Sequence, residues 1–556
     1  MPSIRILALF CGLFCLAADG TAAPSHAWSA RFGGTSNDVA RGVAVDASGN
    51  VYLTGLFSGS ADFGGGPLAS AGGTDIFVAK YDAGGAHQWS RVFGAGGADA
   101  GRGIAVDGGG NVVVTGYFAG VVNFGGGDLA SVGGADAFIA RFDTDGNHLW
   151  SRQIGSTGAD NGLAVATDAL GNLVATGFFS GTAEFATAGP GSVTHASAGS
   201  TDGFVASYSA AGAHQWSRTF GGTGADEGMA VCLDWTAIVV GGDFTGTAMF
   251  DAPSGLLTSA GATDMCIVRY DASGFVLSSQ RYGGTAGDYC YALAPVPGGG
   301  YALGGGFSAS IDLGGGPLSS AGGQDILVAK FTSAAAHLWS RATGSAGDDY
   351  ALAVGASGPG AVVASGAFQG TVDLGAGAVA SNGVHDVFIA MYDAGGACQW
   401  AQVGGSVSSD QGYAVAVDGP GNIVAAGYFR TLINLGGADL NEIGGQDVFL
   451  AKYATAASPV GPIVKSAGLA QNVPNPFNPR TTIRYELPES GLVRLSIFDV
   501  SGRHVRTLVD ESRPPGSHEA VWDGRDASGR EAGSGTYLAR LECGGRVKTV
   551  RMGLVR

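Results

Sequence analysis

Between Trp28 and Tyr453, apolar residues come in short runs separated by glycine-rich polar stretches, and no run carries the three-to-four spacing of a helix. GVAVD (Gly42–Asp46) and NVYLTG (Asn50–Gly55) flank an Ala-Ser-Gly turn, while DIFVAKY (Asp75–Tyr81) leads through Asp-Ala-Gly-Gly-Ala into HQWSRVFG (His87–Gly94). Val, Ile and Tyr runs joined by Gly-containing turns predict two β-hairpins. In DIFVAKY, Phe77, Ala79 and Tyr81 share one face, and Ile76, Val78 and the Lys80 stem share the other. Both faces are apolar, so this strand is expected to be buried on both sides.

The pattern returns seven times, in copies starting near residues 28, 89, 150, 216, 278, 339 and 400. Its anchor is a ring of aspartates ahead of the DIFVAKY strand: Asp75, Asp136, Asp202, Asp264, Asp325, Asp386 and Asp447. A second ring follows in step: Asp38, Asp99, Asp160, Asp226, Asp288, Asp349 and Asp410. A fixed period means that each unit is completed by its neighbours. Four short strands per unit, apolar on both faces, predict an all-β chain. The expected form is a seven-bladed β-propeller of four-stranded blades over residues 24–453. The chain enters on a Trp strand (His26–Phe32) and leaves the repeats on DVFLAKY (Asp447–Tyr453), so these two should pair and close the ring.

The repeats resemble the bacterial β-propeller repeat called SBBP, and more distantly NHL-type repeats. The resemblance rests on Gly42–Gly55, on DAFIARFD (Asp136–Asp143) and on the W-S-R-x-F-G-G run at Trp216–Gly222. The fifth copy departs most, with Ser278 in place of Trp and Pro295–Gly300 in place of the D-x-x-G-N turn. The resemblance implies the fold and leaves the activity open.

The flanks read differently. Arg5, the apolar run Ile6–Ala18 and small residues around Gly20–Ala23 form the pattern of a signal peptide over residues 1–23, and no later stretch is apolar enough for a spanning helix. Residues 454–471 read as a linker. From Asn472 to Arg556, runs such as TTIRYEL, VRLSIFD and TYLARLE predict a small Ig-like β-sandwich. N-x-P-N-P-F-N-P (Asn472–Pro479), Val493–Val509, Gly516–Asp526 and Ser534–Tyr537 are similar to FlgD-like Ig domains, which double as type IX secretion (Por-type) sorting domains. The resemblance implies recognition by an export machine, with Asn475, Pro476, Phe477, Asn478, Pro479, Trp522, Asp523 and Gly524 as the motif residues.

Charge sharpens the division. Residues 1–465 hold 16 Lys and Arg against 36 Asp and Glu, a net of −20, whereas residues 466–556 hold 13 against 10, a net of +3. The acidic body argues against a nucleic-acid partner. Cys232, Cys266, Cys290, Cys398 and Cys543 lack metal or disulfide spacing and read as buried thiols.

The candidate chemistry is sparse. His26, His87, His148, His214 and His337 sit at equivalent outer positions of different blades, too far apart to share a metal. The two aspartate rings share one face, where they either cap glycine-rich turns or hold cations such as calcium; a residue needed by every blade favours capping. A site is expected where the copies differ: Leu56, Tyr117, Phe178, Asp243, Gly306, Ala367 and Tyr428, and two residues on, Ser58, Ala119, Ser180, Thr245, Ser308, Gln369 and Arg430. Val231–Trp235 reads as a degenerate turn. No catalytic set stands out, and no cofactor is expected. The sequence therefore points to an exported, non-catalytic scaffold that binds a glycan or protein outside the cell. The alternative is an extracellular lyase or glycosidase.

Overall fold

A computed structural model describes residues 23–186, 192–250, 255–358, 360–455, 468–487, 491–513, 516–543 and 546–556. The signal-peptide reading falls outside these residues except at Ala23, and most of the 454–471 linker lies outside them too. The chain divides into two compact units, Met1–Ala456 and Ala457–Arg556. Every regular element among the described residues is a β-strand, and no helix there is long and apolar enough to cross a membrane.

In the first unit each repeat folds into an antiparallel sheet. The first holds Asp38–Val45, Val51–Asp62, Pro67–Tyr81 and His87–Phe93, in that order from innermost to outermost. The third holds Asn161–Thr167, Leu173–Phe179, Asp202–Tyr208 and His214–Phe220; the fourth holds Glu227–Asp234, Ala237–Met249, Leu256–Tyr270 and Val276–Tyr282. The second, fifth and sixth repeats give sheets of the same order, beginning at Ala100, Asp288 and Tyr350. The last begins with Gln411–Val417, Ile423–Phe429 and Asp447–Ala454, and its outer strand is the N-terminal Ser25–Gly34. That strand runs antiparallel to Asp447–Ala454, from Ser25 opposite Ala454 to Phe32 opposite Val448. It continues into a short pairing of Gly33 and Gly34 with Asp62 and Ala61 of the first sheet.

The alternation in DIFVAKY explains the stacking. Phe77, Ala79 and Tyr81 pack with Phe32, Val424 and Leu450 of the last sheet, while Ile76 and Val78 pack with Ile104, Val112 and Phe138 of the second. Each innermost strand lies beside the next, and Gln411–Val417 lies beside Asp38–Val45. Burying both faces of a strand contributes about 1.5–3 kcal/mol per large apolar side chain, which is why these strands lack exposed polar positions.

The outer strands lock neighbouring sheets together. Trp28 Nε1 donates to the Ala83 carbonyl at 3.3 Å, Trp89 to Thr144 at 3.1 Å, Trp150 to Ala210 at 3.0 Å, Trp216 to Ala272 at 2.9 Å and Trp339 to Ala394 at 3.0 Å. Each indole also covers a turn glycine of the next sheet: a Cβ on Gly85 (φ 86°) would meet the Trp28 ring at 3.0 Å. The fourth sheet carries Ser278 instead of Trp, and the matching turn residue of the fifth sheet is Ala335, at φ 63°. The alanine is tolerated where no indole presses on the turn.

The second unit packs Gly468–Leu469, Thr481–Leu487 and Gly516–Trp522 as one sheet, and His504–Arg513, Gly491–Asp499, Gly535–Cys543 and Arg546–Leu554 as another. Ile483, Tyr485, Leu495, Ile497, Trp522, Leu541 and Met552 form its core. Gly468 and Leu469 pair with Glu486 and Tyr485, so the module begins before Asn472 and takes in the end of the expected linker. Cys232, Cys266 and Cys290 are buried, whereas Cys398 and Cys543 are half-buried, which corrects the uniform expectation.

Candidate functional site

The second aspartate ring lies at the starts of the innermost strands; in the first ring Asp202, Asp325, Asp386 and Asp447 open a strand, while Asp75, Asp136 and Asp264 lie within longer ones, and the carboxylates of both rings are engaged by backbone. In the first ring, Oδ2 accepts the N–H of the residue four earlier: Ala71 to Asp75 at 2.8 Å, Val132 to Asp136 at 3.2 Å, Ala198 to Asp202 at 3.1 Å, Ala260 to Asp264 at 2.8 Å, Ala321 to Asp325 at 2.9 Å, Asn382 to Asp386 at 3.0 Å and Ile443 to Asp447 at 2.9 Å. The second ring does the same from Gly34, Ala95, Ser156, Gly222, Gly284, Ser345 and Ser406. Several of its members also accept from the loop twenty residues on, as Asp99 does from Ala119 N–H at 2.8 Å and Asp410 from Arg430 N–H at 2.7 Å. In addition, the backbone N–H of Asp99 donates to Thr74 O at 2.7 Å, tying the second sheet to the first. These groups therefore fasten loops and seams. Burial raises the carboxyl of Asp38 to about 7 and those of Asp136, Asp226, Asp288 and Asp410 to about 6. Among the described residues, no three His, Cys, Asp or Glu side chains are grouped to hold a metal ion.

The expected variable positions fall where the sheets differ. Leu56, Tyr117, Phe178, Asp243, Gly306, Ala367 and Tyr428 stand opposite Val39, Ala100, Asn161, Glu227, Tyr289, Tyr350 and Gln411 of the innermost strands. The second set is bound at the backbone, since Ala119, Ser180, Thr245, Gln369 and Arg430 donate their N–H to the second aspartate ring.

A further set was missed in the sequence. Every innermost strand has a bulge, which falls at Arg41, Arg102, Leu163, Met229, Tyr291, Leu352 and Tyr413. A bulge re-aims one side chain out of the pleat, and here the seven differ in chemistry. The Arg41 guanidinium lies 3.9 Å from the centre of the Tyr413 ring, and Arg102 lies 5.6 Å from that of Tyr117. Tyr289 stacks on Tyr291 at 5.8 Å, Tyr291 meets Tyr350 at 6.2 Å, and Tyr413 meets Tyr428 at 5.8 Å. Opposite the arginines stand two acids. Burial raises the Glu227 carboxyl, opposed by Arg102 two sheets away; burial also holds Asp243 well above the usual range, helped by Glu227 and Asp288. Asp243 is 7% exposed and accepts Cys290 N–H at 2.9 Å. Arginine, acidic and tyrosine side chains thus gather at these bulges in different sheets, with Leu163, Met229 and Leu352 aliphatic among them. The signal that could have found this set is the one position per repeat at which Arg, Leu, Met or Tyr stands between two small residues, Gly, Ala or Cys.

The recurrent histidines are structural. His87 Nε2 lies 3.2 Å from Ser90 Oγ, its ring meets Tyr81 edge-on at 5.9 Å, and His26, His148, His214 and His337 repeat the serine contact at 3.1 Å. In the C-terminal module, Phe477 is buried against Trp522 at 5.4 Å, and Asn475 Oδ1 accepts Gly553 N–H at 2.8 Å. Asn475, Pro476, Asn478 and Pro479 are exposed, Asp523 accepts Arg506 at 2.9 Å, and the Gly524 carbonyl accepts Arg556 at 2.9 Å. The motif therefore clamps the last strand.

Residues 27–56 match the family model of the SBBP β-propeller repeat, and residues 479–543 match that of the FlgD Ig-like domain. The chain joins an SBBP propeller repeat to a FlgD-like Ig module. Among solved structures it is similar to PorZ, a surface component of the type IX secretion system of Porphyromonas gingivalis, at 13% identity over 93% of this chain and 81% of that one, with a TM-score of 0.19. Sqt1 from Chaetomium thermophilum is similar at 11% identity over 83% and 97% of the two chains, with a TM-score of 0.35. An uncharacterized WD repeat-containing protein, L264 of Acanthamoeba polyphaga mimivirus, is 30% identical over 151 residues, which is 24% of this chain. The chain spans 11% of that relative's length.

Proposed function

We propose that this protein is an exported, non-catalytic seven-bladed propeller that binds a glycan or protein outside the cell, and that its FlgD-like module engages a secretion machine of the type IX kind. The closed ring is supported by the N-terminal strand beside Asp447–Ala454 and by the innermost strands, the last of which lies beside the first. The observation that carries the binding reading is the varied set of side chains at the innermost-strand bulges. Arg41 and Arg102, Glu227, and the tyrosines of the later sheets differ from copy to copy there, offering charge and ring faces to one ligand.

A second reading has one observation in its favour: Glu227 and Asp243 are paired acids with raised carboxyls, as a glycosidase or lyase requires. Against it, Asp243 is buried and bonded to Cys290 N–H. Screening the full chain on glycan and protein arrays, followed by mass analysis of each bound ligand after prolonged incubation, separates the two. Saturable binding with the ligand mass unchanged is expected. Cleaved or eliminated product would overturn the non-catalytic reading.

A further inference from the structure

On the face of the short turns, opposite the aspartate rings, four of the sheets send one long cationic side chain across the seam to a neighbour. In the second sheet this residue is Arg141, opposite Trp150 on the outer strand. Its guanidinium donates to Gly171 O at 2.6 Å and Ala210 O at 3.0 Å in the third sheet, and pairs with Asp107 of its own sheet's first turn. In the last sheet Lys452, opposite Trp28, takes the same place, 3.3 Å from Asp418 Oδ2 and 3.4 Å from Ala83 O. Lys80 and Lys330 likewise cross to Thr144 O at 2.9 Å and Gly360 O at 2.8 Å.

The third sheet has no such side chain, nor has the sixth, where Met391 stands opposite Trp400; at the third the facing turn is altered as well. Opposite Trp216 stands Ser207, too short to cross. The facing turn of the fourth sheet has lost the D-x-x-G-N form: Asp234 pairs directly with Ala237, and a two-residue loop, Trp235-Thr236, replaces the glycine turn. Two departures at one seam leave a groove of about 660 Å³, lined by Asp168, Ser207, Gln215, Trp216, Trp235 and Ser273 among others. Trp235 is 73% exposed at its edge.

Asp168 keeps the turn geometry of its counterparts. Its Oδ1 accepts Leu170 N–H at 2.9 Å and Asn172 N–H at 2.8 Å, and its Oδ2 accepts Asn172 Nδ2 at 2.8 Å. Asp107 and Asp418 make the same bonds from Asn111 and Asn422, and there the second oxygen also meets the Arg or Lys head group. The Ala272 carbonyl accepts Trp216 Nε1, as Ala210 accepts Trp150 while also taking Arg141. The third seam thus keeps the acceptors of a cation site and lacks the side chain that fills it in the first, second, fifth and last sheets.

We propose that this groove binds an organic cation, a guanidinium or alkylammonium group, through Asp168 and the Ala272 carbonyl, with the Trp216 and Trp235 indoles against its stem. The lining contains no Lys, Arg or His, so a cation meets no like charge and an anion finds no partner. Cation–π attraction favours the indole over other side chains. The cation's source is either a free small molecule or a basic side chain on a polypeptide.

Isothermal titration of the full chain with n-butylguanidinium, and in parallel with acetyl-Gly-Arg-Gly-amide, tests this. Saturable binding of the first alone identifies a free cation, and of the second, with or without the first, a polypeptide side chain. Ser207→Arg should supply the crossing side chain internally, abolish binding at least tenfold and leave thermal stability equal or higher. Asp168→Asn, which keeps the turn acceptor, should also weaken binding at least tenfold, guarding against a folding defect in the first variant. The proposal is overturned if neither probe saturates, or if either folded variant binds as the wild type does.

Discussion

Gly85 lies directly beneath the indole of Trp28, on the neighbouring sheet, and Ala335 occupies the matching turn position where Ser278 has replaced the indole. Seam packing, rather than turn geometry alone, decides which of these residues must be glycine. Gly85→Ala should therefore cost about 2 kcal/mol, combining positive-φ strain with overpacking. Ala335→Gly should change stability by less than about 1 kcal/mol, because relief of strain offsets the gain in unfolded-chain entropy. Urea unfolding of both variants checks the contrast, and equal losses would count against it.

The aspartate rings make stability depend on pH in an unusual direction. Their folded-state carboxyls, at about 6 to 7 for Asp38, Asp136, Asp226, Asp288 and Asp410, lie above the unfolded value. Folding therefore takes up protons. The contribution is full below about pH 4 and is lost as pH rises through 6 to 7. Melting temperature should fall between pH 5 and pH 7.5. Asp136 Oδ1 is buried without a partner, while Oδ2 accepts Val132 N–H and Gln153 Nε2. Asp136→Asn can keep the acceptor and should be more stable than wild type at pH 8 by about 1 kcal/mol, with the advantage gone at pH 4.

Capping and ion binding predict different responses to calcium. With its Oδ2 engaged by Ala71 N–H, Asp75→Ala should cost about 1 kcal/mol. The loss should be the same with chelator and with millimolar calcium. A calcium-dependent rise in wild-type melting temperature that the variant lacks would assign the ring to an ion instead.

Much of the fold was legible because the period is strict. The opposite faces of DIFVAKY, Phe77 with Tyr81 and Ile76 with Val78, pack on different neighbours as their alternation requires. The first strand lies where the phase of the repeat put it. The candidate site was less legible. Arg41, Arg102 and Tyr413 gain their position from a bulge, a one-residue shift in pairing that alternation does not encode. Ser207 and Trp235 are 28 positions apart, and each looks like local decay of the repeat until the seam brings them together. The start of the C-terminal module was misplaced for a simpler reason: Gly468–Leu469 is a two-residue strand with no alternation to read.

The claim that the C-terminal module addresses the propeller to the cell surface is tested most directly by location. The module has its own core around Trp522 and Ile497, and the chain parts into two units at Ala456 and Ala457. Removing residues 472–556 should leave a folded propeller. The measurement is protease accessibility on intact producing cells, full length against truncated, with cell fractionation. The account predicts that the full chain is shaved from the surface or found in the medium, while the truncated chain stays protected and folded inside the outer membrane. Truncated protein displayed or released at the full-length level would contradict it.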